Sequence, residues 1–77
     1  MTTEKLRADL EDIEVVIRNL NHTSNRIEEL KDNTSDFLVI DNLKQFLKKL
    51  ESEIDWNEQI KDEIEQSIKF IELKGGN

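Results

Sequence analysis

A chain of 77 residues with 18 acids, 11 bases, a net charge of −7 and only 35 % hydrophobic side chains has room for one small domain with a thin core. Without cysteine it has no disulfide scaffold, thiolate metal site or cysteine nucleophile, and its single histidine, His22, is too few for most zinc and di-iron sites. The acidic balance argues against direct nucleic-acid and anionic-membrane ligands, both of which need lysine and arginine to meet phosphates.

The first predicted element is a long amphipathic helix over about residues 3–32. Leu6, Leu10, Ile13, Ile17, Leu20, Ser24 and Ile27 follow alternating steps of four and three, an a/d seam with no glycine or proline to interrupt it. Its weak stretch is Asn19–Asn25, where poor helix formers cluster and a kink or fraying is expected. Residues 32–40 read as a loop. Asp32-Asn33-Thr34-Ser35-Asp36 are short polar residues that compete for backbone hydrogen bonds, and Phe37-Leu38-Val39-Ile40 form an apolar run suited to covering the end of a bundle. Asp41 or Ser35 is then the expected cap of the next helix.

That helix is expected over about residues 41–73. Its seam runs through Leu43, Leu47, Leu50 and Ile54, meets the polar Asn57 and Lys61, and resumes with Ile64, Ile68 and Ile71. Asp55-Trp56-Asn57-Glu58 has capping-box spacing, so a three-helix bundle with a break near Asp55 is the alternative. The fold expected is therefore all-α: an antiparallel hairpin of two long helices in one domain, residues 1–77, with a flexible tail over 74–77. A two-helix hairpin cannot cover both sides of its own seam side chains, so dimerisation into a four-helix bundle belongs to the expectation.

Chemical motifs are sparse. His22 lies in a polar stretch with no nucleophile or glycine-rich elbow near it in sequence, and no Glu-x-x-His pair is present. Asp55-x-Asn57-x-Gln59 begins like a calcium loop, but Ile60 stands where glycine is needed and Gln66 where a bidentate glutamate is needed. Leu73-Lys74-Gly75-Gly76 is similar to the Leu-x-Gly-Gly end of ubiquitin-like modifiers over four residues only; the helical period before it does not suit a β-grasp fold. Asn21-His22-Thr23 and Asn33-Thr34-Ser35 fit the glycosylation sequon, yet Met1–Asp9 lacks the apolar stretch of a signal peptide, and a cytoplasmic location is expected. No enzyme activity, cofactor or metal is expected.

Charge and spare apolar residues point to a protein partner instead. With a turn near residue 36, Glu28 and Glu29 fall beside Lys44, Lys48 and Lys49. At the other end Asp9, Glu11, Asp12 and Glu14 lie alongside Glu58, Asp62, Glu63 and Glu65. Trp56, Ile60 and Phe70 fall off the seam on one flank of the second helix, and Val15 and Val16 lie beyond it on the first. An aromatic anchor beside aliphatics and ringed by carboxylates has the anatomy of an interaction hot spot. Asp9, Asp12, Glu14, Val15, Trp56, Ile60, Asp62 and Glu63 are accordingly the candidate partner-binding residues. The function expected is a non-enzymatic interaction module, of adaptor, chaperone or inhibitor type, that meets a basic or apolar protein surface. The alternatives are a DNA-mimicking antagonist of a nucleic-acid-binding protein and a purely structural coiled-coil subunit.

Overall fold

The computed structural model describes residues 3–75, which form two antiparallel α-helices: α1, Glu4–Asn33, and α2, Phe37–Gly75. Thirty-nine residues rising ~1.5 Å each make α2 about 58 Å long, nearly the whole 59 Å length of the molecule, and α1 lies alongside it. The cross-section is only 14 × 13 Å, so the chain is a rod one helix pair wide.

Every seam position expected from the four-three spacing turns inward. Leu6, Leu10, Ile13, Ile17, Leu20, Ser24 and Ile27 are half-buried on α1, and the α2 row from Ile40 to Ile71 is half-buried or better. Yet only Leu50 and Ile68, each 6 % exposed, are fully covered. Two helices cover a side chain from one direction and leave the lateral approaches open, which is why the core is a line rather than a layer.

The polar seam residues explain why α2 does not break at Asp55, as the three-helix alternative required. The Asn57 side-chain amide donates to the Glu53 carbonyl at 2.7 Å, so it is satisfied within its own helix. Lys61 lays its stem on the seam and sends its ammonium outward to Glu14, 3.8 Å away. A break would forfeit a turn of backbone hydrogen bonds and swing Ile64, Ile68 and Ile71 off α1. The Asn19–Asn25 stretch also stays helical, because Leu20, Ser24 and Ile27 are held against α2 and tertiary packing outweighs their neighbours' weak propensity.

The connection is shorter than the 32–40 loop expected. Only Thr34, Ser35 and Asp36 lie outside the helices, with Thr34 extended at φ −105°, ψ 148°. Asp36, not Asp41 or Ser35, caps α2: its Oδ1 accepts from the backbone N–H of Leu38 at 2.9 Å and of Val39 at 3.2 Å. Its negative charge also suits the positive end of the helix. Phe37–Ile40 thereby become the first turn of α2 instead of a lid. The Glu14–Lys61 and Arg7–Glu72 pairs bracket the register, placing Asn33 beside the turn from Asn42 to Phe46, so the first turn of α2 runs past the end of α1. That overhang leaves Phe37 86 % and Leu38 78 % exposed. At the other end Lys74 and Gly75 continue the helix; Gly76 and Asn77, with the rest of the expected tail, lie outside the described residues.

Candidate functional site

The rod has two unlike flanks, and two ion pairs identify one of them. Arg7 bridges to Glu72 and Glu14 to Lys61, both across the groove on the same side of the seam. At 100° per residue, the positions on this side are Glu4, Arg7, Glu11, Glu14 and Arg18 of α1, and on α2 a ladder of five acids, Glu51, Asp55, Glu58, Asp62 and Glu65, with Lys44 and Lys48 before it and Lys69 and Glu72 after it. Between the first turn of α2 and its end, no apolar side chain stands here. A shallow recess of about 270 Å³ on this flank is lined by Glu14, Ile17, Arg18, Asn21 and Lys61.

Two residues before each of these acids the chain stands about 200° away, on the opposite flank. There α1 presents Val16 and Leu30, and α2 presents Val39, Phe46, Trp56, Ile60 and Phe70. All but the half-buried Ile60 are exposed, Trp56 at 63 %. Charge on this flank cancels: Lys5, Arg26, Lys49 and Lys74 balance Asp9, Asp12, Glu53 and Glu63. The net charge of −7 therefore lies off the apolar flank, chiefly on the acidic one.

The expected site residues are divided between these surfaces. Asp9, Asp12, Glu14, Asp62 and Glu63 do share one height on the rod, but Glu14 and Asp62 stand on the acidic flank, while Asp9, Asp12 and Glu63 stand with Trp56 and Ile60 on the apolar one. Trp56, Gln59, Ile60 and Glu63 line a small recess of about 70 Å³. Val15 is 45 % exposed on the outer back of α1 and does not approach Trp56; its neighbour Val16 is the residue on Trp56's flank. Asp9 is engaged with Lys5 at 3.8 Å within its own helix. Near the loop, Glu28 pairs with Lys31 of its own helix at 2.9 Å and not with Lys44, Lys48 or Lys49. That hydrogen bond holds the Lys31 ammonium above the ordinary lysine range; partial burial opposes it, and the charges of Glu28 and Asp32 reinforce it.

Phe46 and Leu30 were not singled out by spacing, although both belong to the apolar flank. Counting the residues beside the seam on each side separately would have found them. A further open groove, about 710 Å³, is lined by Leu6, Phe70, Ile71 and Leu73 near the free end of the rod, where the Lys74 ammonium sits 5.3 Å from the centre of the Phe70 ring. Among the described residues no group of three or more His, Asp or Glu side chains is placed to hold a metal ion, and no helix is long and apolar enough to cross a membrane. Comparison with protein-family models, with curated proteins and with solved structures found no match.

Proposed function

We propose that the protein is a non-enzymatic protein–protein interaction module of the cytoplasm: a helical hairpin whose apolar flank docks another helical surface and whose acidic flank faces a basic protein partner, as in an adaptor, chaperone or inhibitor. The observation that carries this reading is the segregation itself. A chain needing only solubility has no reason to place five successive acids on one side of α2 and Phe46, Trp56, Ile60 and Phe70 on the other. Like charges at helical spacing cost a few tenths of a kcal/mol per pair, and exposed aromatics invite aggregation. Docking offsets both costs, and assembly of two hairpins into a four-helix bundle is the form that suits the apolar flank.

The mimicry of DNA is the weaker reading because of charge density. Duplex DNA presents one charge per ~1.7 Å, or about 34 along a rod of this length; the chain has 18 carboxylates in all, offset by 11 bases. Affinity capture from the native host tests the proposal. The native chain retains a basic protein in low salt, and Glu58→Lys with Asp62→Lys releases it. A partner held equally well by that variant sinks the acidic-flank reading.

A further inference from the structure

The apolar flank is also a dipolar one, and its charges are ordered about a point. On α1 the row spaced by seven residues reads Asp12, Asn19, Arg26; on α2 it reads Lys49, Trp56, Glu63. The two cross-helix pairs, Glu14–Lys61 and Arg7–Glu72, put residues whose numbers sum to 75–79 near one height. Asn19 and Trp56 therefore lie within about one helical turn of each other along the rod, as do Arg26 and Lys49 toward the loop and Asp12 and Glu63 toward the free end. Toward the loop Arg26 and Lys49 outweigh Glu53, and toward the free end Asp9, Asp12 and Glu63 outweigh Lys5 and Lys74, so the flank carries one net positive charge on one side of Trp56 and one net negative charge on the other. Trp56 is also the midpoint of α2, and Asn19 is within one residue of the midpoint of α1.

We infer that this flank is the interface for a second copy of the chain, docked antiparallel about a two-fold axis that passes Asn19 and Trp56. The inference rests on the reading of the flank as a docking surface and names its occupant. A rotation about that axis stacks α1 on α1 and α2 on α2 of the second copy, in opposite directions. Asp12 then meets Arg26 and Lys49 meets Glu63, each pair made twice, while the two Trp56 side chains cover one another at the centre. The same operation brings the exposed Leu38 of the overhanging turn level with the exposed Leu73 of the second copy. Parallel docking would lay Arg26 over Lys49 and Asp12 over Glu63, so like-charge repulsion selects the antiparallel arrangement.

The areas agree. A folded monomer of 9.1 kDa exposes about 4,900 Å², whereas this hairpin exposes 6262 Å², roughly a quarter more. That excess is larger than the ~800 Å² that each partner commits to a standard interface.

Sedimentation equilibrium and charge reversal test the assignment. The native chain sediments at twice its 9.1 kDa mass. Arg26→Glu with Lys49→Glu sets like charges against each other and weakens dimerisation at least tenfold, and adding Asp12→Lys and Glu63→Lys restores it, with helicity by circular dichroism reporting the fold in each case. A spin label on Lys69→Cys, clean because the chain has no cysteine, lies about 39 Å along the axis from its copy in the antiparallel dimer and level with it in a parallel one, where only the width of the bundle separates the labels. A native monomer, a dimer indifferent to the first pair of reversals, a swap that fails to restore it, or a short label distance overturns the inference. Capture of a basic partner by a monomeric native chain would overturn it while leaving the interaction-module reading in place.

Discussion

The two flanks of the rod are made from the same two helices, over the same length, by residues only two positions apart, and they have opposite chemistry. On the acidic side Glu51, Asp55, Glu58, Asp62 and Glu65 repel one another along α2, with Lys48 and Lys69 at the two ends of the ladder and Arg18 and Lys61 beside it. On the other side charges balance and Trp56 and Phe46 stand in water. A seam one residue wide holds the pair of helices together, but the flanks decide what the pair is for. In a hairpin this thin, residues that a larger protein would bury remain on the surface and act as an interface.

Both flanks depend on the seam they share. Leu50→Ala empties one of the two best-covered positions and costs about 3 kcal/mol in urea unfolding, with helicity and self-association lost together. A smaller substitution touches neither flank: Asp36→Ala removes the two hydrogen bonds that start α2 and costs about 1 kcal/mol in the same assay, without altering which surface docks. Glu58→Gln with Asp62→Asn sharpens the contrast from the acidic side. Each relieves the ladder by a few tenths of a kcal/mol, so the thermal midpoint rises in low salt, and the gain shrinks as salt screens the repulsion.

The smallest effect is at Lys31. Its raised pKa in the folded chain means that the Glu28 contact contributes stability in full below the ordinary lysine value of 10.5 and loses it as pH rises through the higher folded value. Lys31→Met therefore flattens the alkaline limb of stability above about pH 10.5 and leaves the pH dependence below that value unchanged.

Periodicity made most of the fold legible. Seam residues from Leu6 to Ile71 could be placed from steps of three and four, because a helix repeats faithfully and burial selects one stripe of it. The turn was less legible. Asp36, Ser35 and Asp41 are all competent caps in isolation, and it is the bonds from the Leu38 and Val39 N–H groups to Asp36 that start the helix at Phe37. Asn57 misled for a related reason: its capping-box spacing is real, but its amide bonds back to Glu53 once the helix runs through. At the candidate site, the height of the carboxylates was readable from a pairing sum. Their division between flanks was not, since that depends on which way each helix is rotated toward the other; this is why Glu14 and Asp62 part from Asp12 and Glu63.

Trp56 is the one tryptophan in the chain and stands at the centre of the apolar flank, 63 % exposed in the single hairpin. Its fluorescence followed through dilution is the most direct measurement of what that flank does. The emission moves to longer wavelength as copies separate and the indole enters water, with a midpoint that matches the dissociation seen by sedimentation. Emission fixed at the water-exposed wavelength at every concentration would contradict the account.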